Sequence, residues 1–281
     1  MGFRAGIDLI RPANCAMIGF AVIVGLFVSK PAHATAVEGA LGFLTGFFLC
    51  AYSMTVNDIY DVEVDRVNRP DRPIPSGRIS TQAAVRASLL VLMAGVAASV
   101  LTLNALAVAI ALIYAFLSWL YNTRAKQTGL PGNLIVASSL AVPFIYGGVV
   151  SGGDITGSLL LMMSLTSFFS GVGREVVKAM ADVEGDAKRG INSVARGNGL
   201  RAASAVGAGF FFLAVITSWV PLALGLANTF YTVGVVAPDA VFAYLAASIV
   251  ARHDPANAHR VKRIALAGMG LGLIVFVGGA F

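Results

Sequence analysis

The sequence predicts an all-α, polytopic membrane protein with nine transmembrane helices. Hydrophobic residues make up 57% of the 281 residues and charged residues only 12%, whereas an ordinary soluble domain carries about 25% charged residues. The mean hydropathy is +0.81, and the apolar runs are long enough to cross a bilayer. These runs are continuous and rich in Ala, Leu and Gly. Because they lack the alternating pattern of a β-barrel strand, they predict helices.

The apolar runs are separated by short polar connections. They lie at about 13–29, 36–56, 84–101, 104–121, 133–151, 157–173, 203–224, 229–250 and 263–281. The boundary between the third and fourth runs depends on a brief interruption at 102–104. No connection is long enough for a soluble domain, so we predict a single transmembrane domain over 1–281.

The N-terminal segment has some features of a signal peptide. Arg4 and Arg11 precede the first apolar run, and Ala32-His33-Ala34 follows it in the pattern of a cleavage site. We interpret the run as a membrane span, because polar residues expected in the functional site lie at its start and many spans follow. Cys15 and Cys50 fall inside apolar runs and are interpreted as small buried hydrophobes.

The basic residues are distributed asymmetrically. The N-terminal segment and every second connection contain all but one of the 20 Lys and Arg residues, the exception being Lys30. Lys and Arg are enriched in cytoplasmic loops, so the N-terminus and the basic connections are predicted to be cytoplasmic, in the cell membrane. The net charge of +6 is therefore attributed to membrane topology and phosphate binding, and not to nucleic acid binding.

The end of the second apolar run carries the strongest functional signal. Asn57, Asp61 and Asp65 are spaced i, i+4 and i+8, which places them on one face of a helix, and Asp58 lies beside them. Carboxylates at the end of a membrane helix are unfavourable without a compensating cation, so they indicate a functional site. The alternative is a solvated helix end with ordinary surface carboxylates.

The connection after this segment is predicted to be a rigid loop. Pro70 ends the helix, and two further prolines stiffen the chain before a turn at Gly77. Ser80-Thr81 are expected to cap the next helix. The arginines of the connection are Arg66, Arg69, Arg72 and Arg78. They suit phosphate recognition, and the alternative is topological anchoring alone.

A second charged segment follows the sixth apolar run. Arg174, Lys178, Asp182 and Asp186 recur at steps of four. One helical face would thus carry two cations and then two carboxylates, with Glu184 close by. The alternative is a row of i,i+4 salt bridges, each contributing only about 0.2–0.5 kcal/mol.

The two acidic segments, both predicted to be cytoplasmic, indicate a shared magnesium site. Hard oxygen ligands without nearby His or Cys favour Mg²⁺ over Zn²⁺, and Mg²⁺ is usually completed by substrate phosphates. Arg and Lys would bind the remaining phosphate charge. At the end of an apolar helix bundle, this combination predicts a substrate with a diphosphate head and a hydrocarbon tail.

Loss of diphosphate from an allylic carbon leaves a carbocation, which requires a dry site lined by aromatic faces. Tyr121 is the preferred candidate, because it lies at the cytoplasmic end of the fourth predicted span, just before Arg124. Tyr52, Tyr60 and Tyr146 are weaker candidates by position.

Three stretches resemble the signatures of the UbiA superfamily of intramembrane prenyltransferases. They are Arg11-Pro12-Ala13-Asn14, the run from Asn57 to Gly77, and Asp182-x-x-x-Asp186. The resemblance implies nine helices around a central cavity that opens sideways to the bilayer, and two Mg²⁺ ions that bridge a prenyl diphosphate. It implies metal ligation by Asn57, Asp58, Asp61, Asp65, Asp182 and Asp186. It implies phosphate or acceptor binding by Arg11, Asn14, Arg72, Tyr121, Arg124, Arg174 and Lys178.

Within the superfamily, the stretch from Arg174 to Asp186 most resembles archaeal members that act on a glyceryl phosphate lipid. The implied reaction moves a geranylgeranyl group from its diphosphate to the hydroxyl of geranylgeranylglyceryl phosphate, in archaeal ether-lipid biosynthesis. One alternative is an aromatic acceptor, such as 4-hydroxybenzoate or a quinone precursor. An ion-coupled transporter is disfavoured because the acidic residues cluster at one membrane face. A CDP-alcohol phosphatidyltransferase is disfavoured because its Asp-Gly…Ala-Arg…Gly…Asp pattern is not found.

Overall fold

The computed structural model describes residues 3–29, 34–153, 155–156, 158–188 and 190–280. Within these residues the regular elements are α-helices and one 3₁₀ turn at Ala125–Gln127. The α-helices are α1 (Phe3–Ile10), α2 (Pro12–Val28), α3 (Ala36–Tyr60), α4 (Val62–Asn68), α5 (Thr81–Val100), α6 (Ala105–Thr123), α7 (Leu130–Val150), α8 (Ser158–Ala181), α9 (Val183–Lys188), α10 (Val194–Ala223), α11 (Thr229–Gly234), α12 (Val236–Ala251) and α13 (Pro255–Ala280). The predicted all-α class is confirmed, and Lys30, Arg189 and the Ala32-His33 pair lie outside the described residues.

Seven helical segments in the described part of the chain are long and apolar enough to cross a membrane. The bent pair α1–α2 raises this number to eight if it forms one span. Arg11 causes the bend of 48°, since its φ of 53° interrupts the helix and Pro12 starts the next one. The protein is therefore an integral, multi-pass membrane protein, while the number nine stays a prediction. Helix α8 coincides with the sixth predicted span but carries charged residues in its last turns.

Several helix boundaries follow from local capping. Thr35 and Glu38 form a capping box at the start of α3, with the Glu38 N–H donating to Thr35 Oγ1 at 3.1 Å. Ser80 accepts a hydrogen bond from the Ala83 N–H at 3.2 Å, which confirms the predicted cap of α5. Asn104 caps α6 in the same manner, so the boundary between the third and fourth runs is a sharp turn.

The chain divides into two compact units. The first comprises 1–27, 31–123 and 146–154, and the second comprises 28–30, 124–145 and 155–281. In the first unit α3 packs against α5 and α6, and in the second α8 packs against α10 and α13. The single domain over 1–281 stays a prediction.

Small residues allow the helices of the second unit to approach closely. A Cβ on Gly173 of α8 would lie 2.7 Å from the Phe211 ring of α10, so only glycine fits there. The surrounding core is rich in valine and alanine and includes Val176, Val177 and Val261. Helix α10 begins earlier than predicted, because a break at Gly199, with φ 84°, separates its first turn from the apolar run.

Candidate active site

The first acidic segment lies where a long helix gives way to a short one. Helix α3 ends at Tyr60, Asp61 has φ −98° and ψ 9°, and α4 begins at Val62. The prediction of one uninterrupted helical face is therefore wrong in this detail. The four-residue spacing survives, since the Asp61 N–H donates to the Asn57 carbonyl at 3.0 Å and the Asp65 N–H donates to the Asp61 carbonyl at 2.8 Å.

The side chains of Asn57 and Asp61 are joined at this break. Asn57 Nδ2 donates to Asp61 Oδ2 at 3.0 Å and to Asn122 Oδ1 at 3.0 Å. Asn122 is buried at the end of α6, and its own Nδ2 donates to the Ser118 carbonyl at 2.8 Å. The sequence reasoning did not identify Asn122, although an amide in the last turn of an apolar helix was the available signal.

Two arginines hold Asp58 and Asp65, the other two aspartates of the segment. Asp58 is only 2% exposed and forms ion pairs with Arg11 and, at 3.0 Å, with Arg72. Arg72 also pairs with Asp65. These contacts compensate the cost of removing the carboxylates from water. Asp58 Oδ2 is buried and has no hydrogen-bond partner among the residues that the structure describes.

Arg72 reaches these carboxylates because its loop is compact. The Ser76 N–H donates to the Arg72 carbonyl at 3.0 Å, and the Ile79 N–H donates to the Pro73 carbonyl at 3.0 Å. Ile74 and Ile79 pack in an apolar cluster with α1, which fixes the loop against the rest of the first unit.

The other loop arginines lie at the surface. Arg66 pairs with Glu63 at 2.7 Å, but both side chains are mostly exposed, at 60% and 80%. Arg78 pairs with Asp8 at 2.6 Å, and Arg69 is exposed.

The second acidic segment has the same backbone plan. Helix α8 ends at Ala181, Asp182 forms a turn, and α9 begins at Val183. The Asp186 N–H donates to the Asp182 carbonyl at 2.8 Å, and Asp186 is buried. A Cβ on Gly185 would lie 2.3 Å from Asp182 Oδ1, so the Asp182 carboxylate lies directly against this glycine.

A cationic group occupies the end of α8. Arg174 Nη1 and Lys178 Nζ donate to opposite oxygens of Glu175, at 2.9 Å and 2.8 Å, and Glu175 is only 6% exposed. Arg174 Nε is buried without a hydrogen-bond partner in the described part of the chain. Lys262 of α13 interacts electrostatically with Arg174, Lys178 and Asp182.

Glu175 and Lys262 were both missed by sequence reasoning. Glu175 is outside the four-residue repeat that drew attention to its neighbours. The sequence places Lys262 only among the basic residues that are predicted to be cytoplasmic.

The remaining candidates lie at helix ends. Tyr121 is half-buried in the last turn of α6, Arg124 is exposed just after that helix, and Asn14 is exposed in the first turn of α2.

Of the weaker aromatic candidates, Tyr146 is buried and donates to Ser99 Oγ at 2.9 Å, so it is part of the packing. Tyr52 is also buried, whereas Tyr60 is half-exposed.

The donor set at the first break suits Mg²⁺. Among the described residues, no group of three or more His, Cys, Asp or Glu side chains forms a ready-made metal cage. Mg²⁺ does not need such a cage, because it usually takes one or two protein carboxylates together with waters and substrate phosphates. Asn57 and Asp61 offer adjacent amide and carboxylate groups of this kind.

The fold and this site define a membrane-embedded prenyltransferase. Residues 18–269 match the model of the UbiA prenyltransferase family. The chain belongs to this family, as its sequence signatures predicted.

Curated relatives match this chain over almost its full length. The chain is 36% identical to digeranylgeranylglyceryl phosphate synthase of Archaeoglobus fulgidus over 278 residues, which cover 98% of this chain and 94% of the relative. It is 33% identical to the enzyme of the same name from Methanocaldococcus jannaschii, over 98% of this chain and 95% of the relative.

Solved structures share the fold. One, from work on the structure and mechanism of digeranylgeranylglyceryl phosphate synthase in membranes, has a TM-score of 0.87 and 31% identity, over 99% of this chain and 98% of that one. A UbiA homologue from Archaeoglobus fulgidus bound to GPP and Mg²⁺ has a TM-score of 0.70 and 19% identity, over 97% of this chain and 99% of that one.

Proposed function

We propose that this prenyltransferase moves a geranylgeranyl group from its diphosphate to the hydroxyl of geranylgeranylglyceryl phosphate. The observation that carries this proposal is the cationic group of Arg174, Lys178 and Lys262, in which a buried Glu175 offsets only part of the charge. Such a group suits an acceptor that bears a phosphate of its own. The full-length likeness to enzymes named digeranylgeranylglyceryl phosphate synthase supports the same acceptor.

The first acidic segment is proposed to serve the diphosphate. Asn57 and Asp61 are proposed Mg²⁺ ligands, and a bound metal would neutralise charge on the leaving diphosphate. Arg11 and Arg72 would bind the phosphate oxygens that the metal leaves open. Asp58 and Asp65 hold these arginines in place, so a direct metal bond from either carboxylate would first require an ion pair to open.

The second acidic segment is proposed to contribute Asp182 and Asp186 to a second Mg²⁺ ion. Family members with solved structures are bound to GPP and Mg²⁺ or to DMAPP and Mg²⁺, which supports the choice of metal and donor. The proposed number of ions comes from the family resemblance.

The acceptor is proposed to bind through its phosphate. A phosphomonoester carries about −1.5 to −2 charges at pH 7, which complements the cations at the end of α8. Arg174 Nε has no hydrogen-bond partner among the described residues and is a donor that a phosphate oxygen would satisfy. Arg124 and Asn14, both exposed at helix ends, are further proposed contacts for phosphate or acceptor.

The reaction balances without a further reactant. The allylic carbon–oxygen bond breaks and its electron pair leaves with pyrophosphate, while Tyr121 stabilises the cation through its ring. The acceptor hydroxyl oxygen then bonds to this carbon and releases its proton to the departing pyrophosphate, which yields an ether. The cytoplasmic location of both segments is proposed from the distribution of basic residues.

An acceptor competition tests the proposal. Purified protein in detergent receives geranylgeranyl diphosphate, Mg²⁺ and equal amounts of geranylgeranylglyceryl phosphate and 4-hydroxybenzoate, and the products are identified by mass. The proposal predicts the diether phosphate and equimolar pyrophosphate, both lost when EDTA replaces Mg²⁺. A prenylated benzoate would favour the aromatic alternative, and absence of pyrophosphate would favour a transporter.

A further inference from the structure

We propose that Asn122 is a positioning residue that fixes the amide of Asn57 so that its oxygen, and not its nitrogen, is presented to Mg²⁺. This inference rests on the proposed function, because it takes Asn57 as a metal ligand. It goes beyond that proposal by assigning a role to a residue that no metal or substrate needs to touch.

The observation is a directed chain of hydrogen bonds. Asn122 Nδ2 donates to the Ser118 carbonyl at 2.8 Å, Asn57 Nδ2 donates to Asn122 Oδ1 at 3.0 Å, and Asn57 Nδ2 also donates to Asp61 Oδ2 at 3.0 Å. The chain begins on the backbone of α6, passes through Asn57 of α3 and ends on Asp61 at the break after α3. Asn57 and Asp61 are both proposed metal ligands.

The chemistry at both ends of the chain determines its direction. A backbone carbonyl and an ionised carboxylate accept hydrogen bonds and donate none. Ser118 therefore requires the nitrogen of Asn122, and Asp61 requires the nitrogen of Asn57. The orientations of both amides follow from these partners.

The side-chain amide of Asn57 therefore has only one orientation that satisfies both of its partners. Its two N–H groups are both used, so Oδ1 is the side-chain atom left for another partner. Amide oxygens bind Mg²⁺, whereas an amide NH₂ would point two hydrogens at the cation. A flipped amide would lose its bonds to both Asn122 and Asp61.

Burial makes Asn122 a firm anchor. Asn122 is only 2% exposed, so water cannot replace its bonds to Ser118 and Asn57. Residues that orient metal ligands in this way typically contribute 10–100-fold to metal affinity or activity. We expect an effect of this size from Asn122, without direct contact to the ion.

The test uses metal binding as a readout besides activity. Mn²⁺ replaces Mg²⁺, and free Mn²⁺ is measured by electron paramagnetic resonance in the presence of pyrophosphate and purified protein in detergent. Asn122→Leu, which has a similar volume and no acceptor, should weaken Mn²⁺ binding about 10–100-fold. Asn122→Gln, which retains both a donor for the Ser118 carbonyl and an acceptor for Asn57, should recover part of the affinity.

Asn104 provides the matched control at the other end of α6. It also uses Nδ2 to reach a backbone carbonyl, that of Val149 at 2.8 Å, and it caps the helix. Asn104→Ala should lower the Tm without changing Mn²⁺ affinity. This separates the positioning of Asn57 from a general loosening of α6.

A double-mutant cycle with Asn57→Asp sharpens the test. A carboxylate presents oxygen in either orientation, so Asn122→Leu should cause no further loss of affinity in this background. Additive losses in the cycle would overturn the inference, as would wild-type affinity in Asn122→Leu. If the wild type binds no Mn²⁺ in the presence of pyrophosphate, this result contradicts the proposed function. The inference about Asn122 is then contradicted as well, because it rests on that function.

Discussion

The two acidic segments share a backbone plan but differ in their surroundings. In each, a long helix ends, an aspartate occupies the break, and a second, buried aspartate follows four residues later on a short helix. The hydrogen bond between the two aspartates of each segment is 2.8 Å long in both cases, for Asp61–Asp65 and for Asp182–Asp186. The break therefore serves as a repeated means of presenting carboxylates at a helix end.

The difference lies in where the positive charge comes from. At the first break Arg11 and Arg72 come from other segments and pair with Asp58 and Asp65. At the second break Arg174 and Lys178 belong to α8 itself and share the buried Glu175, and Lys262 is added from α13. In the first segment, arginines from elsewhere in the chain pair with two aspartates. In the second segment, two cations of α8 share one buried glutamate. This contrast suits a metal-bound diphosphate at the first and a phosphate of the acceptor at the second.

The largest effect is expected at the first break itself. Asp61→Ala should lower pyrophosphate release by more than about 100-fold, since even residues that only support a metal ligand contribute 10–100-fold. Glu63→Ala removes an exposed carboxylate two residues away and should retain activity. Kinetic assays of both variants across Mg²⁺ concentrations check this, and equal activity of the two would remove Asp61 from the site.

The buried ion pairs should contribute more to stability than to chemistry. Asp58→Ala leaves Arg11 and Arg72 without their shared partner and should cost about 3 kcal/mol, the low end for a broken buried pair. The exposed pair in Glu63→Ala should cost less than about 1 kcal/mol. Unfolding of the two variants in mixed micelles without metal measures both losses of stability. A fully stable Asp58→Ala variant that has lost Mn²⁺ binding would instead identify Asp58 as a metal ligand.

The second break offers a smaller and more specific test. Gly185→Ala would place a methyl group 2.3 Å from the present position of Asp182 Oδ1, so the carboxylate must move. We expect about a tenfold loss of Mn²⁺ affinity. Gly197→Ala is the control, because its Cβ would meet nothing within 4 Å. Unchanged metal binding in Gly185→Ala would show that the position of Asp182 does not matter.

An effect of similar, modest size is expected at Lys262. Lys262→Ala should raise the acceptor KM about tenfold, as the loss of one charged hydrogen bond of about 1.4 kcal/mol would do. Lys262→Arg should retain most of the affinity. Arg263→Ala, which removes the exposed neighbouring cation, should leave the KM nearly unchanged. A similar rise in all three variants would reduce the role of Lys262 to general surface charge.

The sequence predicted the class of fold and most helix positions from apolar runs alone. The second apolar run at 36–56, for example, corresponds to α3 at Ala36–Tyr60. The break at Asp61 could not be predicted, because a four-residue spacing fits a continuous helix and an interrupted one equally well. The start of α10 differed because Gly199 breaks the helix before the apolar run begins.

The sequence predicted candidate residues for the site, but not the ion pairs that these residues form. The Arg11–Asp58 and Arg72–Asp58 contacts join distant parts of the chain, and only tertiary structure reveals them. Glu175 stands next to Arg174 and three residues before Lys178, so it lies outside the four-residue repeat of the charged residues. Asn122 could not be singled out from the sequence, because its hydrogen-bond partner Asn57 is 65 residues away.

We assign the diphosphate to the first segment and the acceptor phosphate to the second, and removing the cations of α8 tests this assignment most directly. Arg174→Ala combined with Lys178→Ala is compared with the wild type by measuring KM separately for geranylgeranyl diphosphate and geranylgeranylglyceryl phosphate. We predict a rise in the acceptor KM that clearly exceeds any rise in the diphosphate KM. Equal rises for both substrates would contradict the assignment of the second segment to the acceptor phosphate.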